Sequence, residues 1–204
     1  NNGPCNQVVD TVRVIFTGAP VVNVGTNVLI CANNPTVAIN ASVTVGATTG
    51  IWSGGNGTYN ASNTSLSITY IPTPAEITAG SVSLILNSTN NGNCNIVKDT
   101  VVINFTNAPT VNAGMPLSVC KNNATTVLSG LVAGPTTTGI WSGASGSFSP
   151  NNTALTGTYT PSASELSAGS ASLILTSTNN GTCNQAIDTL VILFTGSPVV
   201  AIGP

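Results

Sequence analysis

Cysteines are the residues of this chain best suited to covalent chemistry, and the 204 residues contain five of them and no histidine. They are Cys5, Cys31, Cys94, Cys120 and Cys183. Zinc sites group four ligands, often as Cys-x-x-Cys pairs, and the sequence has no such pair. Thiols this far apart predict disulfide bonds, which are typical of secreted proteins.

The remaining composition excludes several classes of function. Three basic residues cannot form the positive face that nucleic acid requires. Without histidine there is no His-based catalysis, and five acidic residues spread along the chain are too few for calcium sites. No apolar run approaches the ~18 residues of a membrane span. We predict a non-enzymatic, extracellular protein with no catalytic residues, no cofactor, no metal and no membrane insertion.

An internal repeat sets the positions of the cysteines. Segments beginning NNGPCN, NNGNCN and NNGTCN start at residues 1, 90 and 179, an offset of 89 each time. We predict four parts: residues 1–20, the last strand of a preceding repeat; 21–109 and 110–198, two complete repeats; and 199–204, the start of a following repeat. Short joints with a proline (Pro20, Pro109 and Pro198) favour an extended rod over a flexible string.

Each repeat has the pattern of a β-sandwich. β-Branched residues dominate, and no stretch keeps a helical period. Trp52 lies 13 residues after Ile39, and Trp141 lies 13 residues after Leu128, which resembles the spacing between strands B and C of an immunoglobulin domain. We therefore predict an all-β fold of tandem immunoglobulin-like β-sandwich repeats, with Trp52 and Trp141 in the two cores.

Two local signals recur in both repeats. Asn91-Gly92 and Asn180-Gly181 predict hairpins with a type I′ turn, in which both central residues have positive φ. Thr73 and Ser162 each precede a glutamate by three residues, which predicts a capped helical turn. This interpretation gives both glutamates a structural role and no catalytic one.

Topology discriminates among the disulfide pairings. Three are open: within a repeat, Cys31 to Cys94 and Cys120 to Cys183; across the linker, Cys5 to Cys31 and Cys94 to Cys120; and between neighbouring repeats, Cys31 to Cys183. Cys31 lies eight residues before one core position and Cys94 eight residues after another, on strands that run the same way in an immunoglobulin sandwich. At ~3.3 Å per residue these sulfurs would lie at opposite ends of one repeat.

A head-to-tail stack of repeats brings Cys31 beside Cys183. We favour this inter-repeat bond, with Cys5, Cys94 and Cys120 pairing to repeats outside the sequence. Pairing within a repeat stays open as the alternative.

The combined pattern resembles the repeats of giant cell-surface adhesins of gliding Bacteroidetes. It is carried by VNAGMPLSVCKNNATTVLSG, TTTGIWSGASGSFSP, TYTPSASELSAGSASLILTSTNNGTC and DTLVILF. The resemblance implies type IX secretion, a cell-surface location, and service as an adhesive filament that takes part in gliding motility. It also implies O-glycans at Asp-Thr followed by a small apolar residue, which marks Thr11, Thr100 and Thr189.

The function we predict is a structural stalk of such an adhesin filament, which mediates surface attachment. Its partners are the neighbouring repeats of the same polypeptide, with a surface polysaccharide or substratum as a further partner. One alternative is a carbohydrate-binding module array of a secreted polysaccharide-degrading enzyme, which requires exposed tryptophans. Another is a self-assembling sheath or surface-layer protein, in which lateral contacts dominate.

Overall fold

A computed structural model describes residues 3–196 together with residues 200 and 203. The strands of the first repeat are β1 (Val21–Asn23), β2 (Val28–Cys31), β3 (Val37–Asn40), β4 (Ser42–Thr44), β5 (Thr49–Ser53), β6 (Thr58–Tyr59), β7 (Ser67–Ile71), β8 (Ser81–Thr89) and β9 (Lys98–Thr106). Those of the second are β10 (Thr110–Asn112), β11 (Leu117–Cys120), β12 (Thr126–Ser129), β13 (Leu131–Ala133), β14 (Thr138–Ser142), β15 (Ser147–Ser149), β16 (Thr156–Thr160), β17 (Ser170–Thr178) and β18 (Ile187–Thr195).

Two six-residue helices complete the elements of the described residues, α1 (Pro74–Ala79) and α2 (Ala163–Ala168), together with a 3₁₀ turn at Lys121–Asn123. Neither described helix has the length and apolar character needed to cross a membrane.

The strand order is the same in both repeats. One sheet has the order β2-β9-β8-β5, in which β2 and β9 are parallel and the other pairs are antiparallel. A second sheet has the order β3-β7-β6, and β1 pairs separately with β4. The second repeat reproduces this as β11-β18-β17-β14, β12-β16-β15 and β10-β13. The all-β, immunoglobulin-like sandwich predicted from the sequence is confirmed.

Each repeat has its own hydrophobic core between its sheets. Trp52 on β5 is buried opposite Leu86 of β8, and Trp141 on β14 is buried opposite Leu175 of β17. Along β8 and β17 alternate residues are buried, as expected for strands that turn one face to the core. The tryptophans therefore lie inside the sandwiches.

Both predicted helix caps are present. The Thr73 hydroxyl accepts a hydrogen bond from the Glu76 N–H, and the Glu76 carboxylate accepts one from the Thr73 N–H. Ser162 and Glu165 repeat this arrangement before α2. Glycines with left-handed φ then end the helices, Gly80 at 83° and Gly169 at 85°.

The predicted type I′ hairpin turns are wrong. Strand β8 ends at Thr89 and β9 begins only at Lys98, so the connection is a loop rather than a two-residue turn. Positive φ occurs at Asn90 and Gly92, which flank Asn91, and at the equivalent positions of the second repeat. Ser88 ties the ends of this loop, because its N–H donates to the Val97 carbonyl and its hydroxyl accepts from the Val97 N–H.

The segment before β1 forms no strand among its described residues. Strand hydrogen bonds need a neighbouring strand, and the side chains of residues 3–19 are exposed: Phe16 is 91% exposed. The assignment of residues 1–20 to a preceding repeat stays a prediction. Pro198 and most of 199–204, predicted to end one repeat and begin another, lie outside the described residues.

Candidate functional site: the junction between the repeats

The first repeat contributes a short loop to its junction with the second. Cys31 ends β2 beside Thr106, the last residue of β9, and the Ala32 N–H donates to the Thr106 carbonyl at 2.9 Å. The Asn34 N–H then closes a turn onto the Cys31 carbonyl at 3.0 Å. This segment, Cys31 to Asn34, is named the Cys31 loop. It lies at the end of the repeat from which the linker leaves.

The second repeat contributes residues 179–184, named the Asn179 turn, which follow β17. The Cys183 N–H donates to the Asn180 carbonyl at 3.0 Å and holds the turn compact. The strand that follows is anchored beside the entry of the chain, since the Asp188 carboxylate accepts from the Ala113 N–H at 2.8 Å. The Asn179 turn therefore lies at the end of the second repeat that faces the first.

A disulfide bond joins the two repeats at this junction. Cys31 and Cys183 are bonded, with Cα atoms 4.9 Å apart, although they are 152 residues apart in the chain. Both sulfurs lie 3.7 Å from the carbonyl oxygen of Asn107 in the linker. The bond thus runs beside the linker, as a second covalent connection between the repeats.

Asparagines add an uncharged hydrogen-bonded contact, the asparagine clasp, formed by Asn33, Asn34, Thr182 and Asn184. The Asn33 side chain donates to the Asn184 carbonyl and accepts from the Asn184 N–H, each at 3.0 Å. The Asn184 side chain donates to the Asn33 carbonyl at 2.8 Å, and Asn34 donates to the Thr182 carbonyl at 3.2 Å. No charge takes part, so screening by salt has little to act on.

The other three cysteines are free thiols, with Cys5 and Cys120 exposed and Cys94 half-buried. The Cys94 sulfur lies 3.7 Å from the Gly18 carbonyl, just as Cys183 lies by Asn107. Their bonds to repeats outside the sequence stay predictions.

The helix-capping glutamates do more than cap. Glu76 Oε1 also accepts from the Asn56 N–H and from the Tyr70 hydroxyl, each at 2.7 Å, and Glu165 contacts Ser145 and Tyr159 in the same way. Burial alone would raise the pKa of both carboxyls, but these hydrogen bonds together lower it. A carboxylate held by this many donors is a structural anchor rather than a free acid or base.

The tyrosines of this network are the residues that the sequence reasoning missed. Burial, followed by the hydrogen bond to the carboxylate, raises the pKa of Tyr70 and Tyr159 well above the ordinary range. Each hydroxyl also accepts from a glycine N–H, that of Gly57 at 2.8 Å or Gly146 at 2.9 Å. The recurrent signal was a tyrosine six residues before each capping glutamate.

Two of the Asp-Thr pairs, Asp99-Thr100 and Asp188-Thr189, lie at the starts of β9 and β18. Asp99 and Asp188 each accept from the N–H of the threonine that follows and from a backbone N–H near β1 or β10. Backbone hydrogen bonds lower the pKa of Asp188, and the bond from the Ala113 N–H has the largest effect. Thr11, Thr100 and Thr189 are all exposed, so each is accessible to a glycosylating enzyme.

The remaining candidates offer no binding chemistry among the described residues. Both tryptophans are fully buried, and Trp52 donates its indole N–H to the Ser65 carbonyl at 2.9 Å. Neither presents a face to a sugar ring. Within the described part of the chain, no three His, Cys, Asp or Glu side chains gather as a metal site would need.

Comparisons with known proteins find likeness only at the level of structure. No family model and no curated protein matches the chain. Similar solved structures include Drosophila N-cadherin EC1–4, with a TM-score of 0.42 and 13% identity over 87% of this chain and 50% of that one. Sidekick-1 immunoglobulin domains 1–5 have a TM-score of 0.43 and 13% identity over 89% of this chain and 40% of that one. The titin I-band fragment I67–I69 has a TM-score of 0.46 and 9% identity over 88% of this chain and 66% of that one. The chain thus spans half or less of the first two; the fold assignment rests on strand order and register.

Proposed function

We propose that this chain is a non-enzymatic structural repeat, the stalk, of a long bacterial cell-surface adhesin filament. The observation that carries the proposal is the junction, where the Cys31–Cys183 bond runs beside the linker and the asparagine clasp closes around it. A single flexible linker would suffice for independent beads. A doubled covalent connection suits a part that transmits force.

The disulfide gives tension a short path through the molecule. Force applied along the chain reaches Cys31, crosses to Cys183 through the bond and leaves towards the C-terminal end. The segment between these cysteines, which are 152 positions apart, carries no tension while the bond is intact. Most of both sandwiches, including Trp52 and Trp141, lies within that segment and is shielded from the load, whereas β18, with the core residues Leu190 and Ile192, lies outside it.

The resemblance to adhesin repeats of gliding Bacteroidetes supports the finer part of the proposal. It adds type IX secretion, a cell-surface location, a role in gliding motility, and a polysaccharide or substratum as partner. A disulfide is typical of proteins that work outside the cytosol. With only 4% charged residues, the length and stiffness of the stalk depend little on salt.

Single-molecule pulling from the two ends of the chain tests the stalk function. With the disulfide intact, we expect only the segments outside Cys31 and Cys183 to extend. After reduction, the contour length should increase by roughly 500 Å, because 152 residues are released at about 3.4 Å each.

A Cys31→Ser variant should behave as the reduced protein does, whereas Cys120→Ser should behave as the oxidised parent. Equal contour lengths in oxidised and reduced chains would contradict the load-bearing role. Sedimentation of the same samples addresses the sheath alternative, since lateral assembly that grows with concentration would favour it. The carbohydrate-binding alternative depended on exposed tryptophans, and both are buried.

A further inference from the structure

A pocket in the first repeat corresponds to the occupied junction of the second. It encloses about 800 Å³ and is lined by Thr17, Gly18, Val45, Gly46 and residues 90–94, among others. We name it the Asn90 pocket. Shifted by 89 residues, the stretch 90–94 becomes the Asn179 turn up to Cys183, and Gly18 becomes Asn107.

At the equivalent place in the second repeat, the Cys31 loop lies against the Asn179 turn, while Phe105, Gly134 and Pro135 on the opposite side still line an open pocket of about 460 Å³. The cysteine of this loop bonds Cys183, and its two asparagines contact Thr182 and Asn184. The contacts on Thr182 and most of those on Asn184 are to backbone atoms, which any residue supplies. The one side-chain contact comes from Asn184, and its counterpart Asn95 is also asparagine.

The Asn90 pocket therefore has the chemistry needed for the same kind of loop. Cys94 is a free, half-buried thiol, and its sulfur lies as far from the Gly18 carbonyl as the Cys183 sulfur lies from Asn107, 3.7 Å. A loop of the form Cys-Xaa-Asn-Asn occurs twice in the chain, at Cys31 and at Cys120. This loop is thus a recurrent part of the repeat.

A segment without strand pairing, residues 9–17, adjoins the pocket. Residues 9–17 correspond to β9 and β18, which complete the main sheet of each repeat. Val12 is 85% exposed, whereas its counterpart Val101 is 1% exposed. Leaving such a row of apolar side chains in water is unfavourable, so the segment is suited to completing another sheet.

We propose that the Asn90 pocket and residues 9–17 together bind one occupant, a further immunoglobulin-like unit of the same 89-residue repeat. Residues 9–17 complete the sheet of that unit, and its Cys-Xaa-Asn-Asn loop docks on residues 90–94 of the pocket and forms a disulfide with Cys94. This inference deepens the proposed stalk function, because it makes each repeat a receptor for the one before it. The occupant is a unit in the same rod rather than a second copy of the whole chain, whose own β18 would compete with residues 9–17 for one position.

The bond forms by ordinary thiol oxidation. Two thiols lose two protons and two electrons and become one disulfide, and a small-molecule disulfide such as oxidised glutathione accepts them and becomes two thiols.

A lengthened chain tests the proposal. A second copy of residues 21–109 is inserted after Pro109, with Cys94→Ser in the leading copy and Cys31→Ser in the inserted copy. A Cys31–Cys94 bond can then form only between units. After oxidation with glutathione, non-reducing peptide mapping should find this bond in most molecules.

A second measurement does not depend on oxidation. In the reduced lengthened chain, alkylation of the one remaining Cys94 should be about tenfold slower than in the 204-residue chain, because the docked loop covers it. Equal alkylation rates, or a Cys94 that stays a thiol after oxidation, would overturn the inference.

The unmodified chain, oxidised in parallel, is the matched control. We expect its Cys94 to remain a thiol and its Cys31–Cys183 bond to be present. Dimers linked through Cys94 and Cys120 would show that a second copy is the occupant and would overturn the inference. The two proposals can fail separately. If the unmodified chain contains the Cys31–Cys183 bond while the lengthened chain lacks the Cys31–Cys94 bond, this inference fails and the stalk function stands.

Discussion

At the scale of single residues, two tryptophans at equivalent positions differ in one contact. Both are buried, but Trp52 donates its indole N–H to the Ser65 carbonyl at 2.9 Å, whereas the Trp141 indole N–H has no partner among the residues that the structure describes. The counterpart of Ser65 is Ala154. The two tryptophans therefore match in size and burial and differ in the hydrogen bond of the indole N–H.

We expect Trp52→Phe to destabilise the first repeat more than Trp141→Phe destabilises the second. Both lose buried area, but only Trp52→Phe leaves a carbonyl without its donor, which adds about 1 kcal/mol. Hydrogen exchange of the core amides of β8 in Trp52→Phe and of β17 in Trp141→Phe measures the cost in each repeat. Equal costs would show that this hydrogen bond adds nothing to stability.

The exposed threonines of the Asp-Thr pairs permit a second test at this scale. In protein exported by its natural host, we expect hexose-rich mass on Thr11, Thr100 and Thr189, and Thr100→Ala should remove one glycan without changing the unfolding midpoint. Peptide mapping by mass spectrometry reads out the sites. Unmodified threonines on the exported protein would contradict the glycosylation that the resemblance implies.

At the scale of elements, each short helix is fixed to its sandwich by a glutamate and a tyrosine. The carboxylate of Glu76 joins the helix cap to β7 through Tyr70 and to the loop before β6 through Asn56. Six residues are too few for a helix to persist in water, so tertiary contacts must hold it. The network therefore makes the helix part of the sandwich.

This network should make stability depend on pH at both extremes. The pKa of Glu76 and Glu165 is lowered on folding, so their contribution is present above the unfolded value of about 4.3 and is lost as the pH falls through the folded one. The pKa of Tyr70 and Tyr159 is raised, so their contribution is complete below about pH 10 and is lost as the pH rises further.

We expect a free energy of unfolding that is level between roughly pH 5 and 9 and lower on either side. Glu76→Gln should lower the free energy of unfolding of the first repeat between about pH 5 and 9 and weaken its dependence on pH below that range. An amide does not titrate, and only one of its two terminal atoms accepts hydrogen bonds. Asp10→Asn, which changes a carboxylate on the exposed leading segment, is the control. An unchanged dependence on acidic pH in Glu76→Gln would contradict the assignment.

At the scale of the whole molecule, the asparagine clasp and the disulfide act on the same junction. Asn33 makes two side-chain hydrogen bonds to Asn184, while its counterpart Asn122 is exposed at the far end of the second repeat. The pair offers a variant and a control with the same chemical change.

We expect Asn33→Ala to speed reduction of the Cys31–Cys183 bond by about tenfold and Asn122→Ala to leave it unchanged. Two lost hydrogen bonds cost roughly 1–2 kcal/mol, which makes the junction open more often to the reductant. The rate of reduction by dithiothreitol, followed by mass spectrometry, measures this. A rate for Asn33→Ala equal to that of Asn122→Ala would show that the clasp does not guard the bond.

Much of this architecture could be predicted from residues that are close together in the sequence. The 89-residue offset, the alternation of β-branched residues, the capping boxes and the two tryptophan positions depend on spacing along the chain, and each was readable there. The type I′ turns were misread, because the same Asn-Gly pair occurs in longer loops. Here Ser88, from outside the turn, closes the loop through Val97.

Spacing along the chain is enough to predict β-sandwich repeats with two regularly placed cysteines each, since these features need only neighbours in the chain. Strand topology reduces the possible disulfide pairings to two, the bond between repeats and the bond within a repeat. The choice between these two pairings required the fold, because a disulfide needs Cα atoms a few ångströms apart. The distance in space between residues 152 positions apart depends on how whole repeats stack. The tyrosine–glutamate anchors and the asparagine clasp were hidden for the same reason: their partners are brought together by the sheets and by the junction.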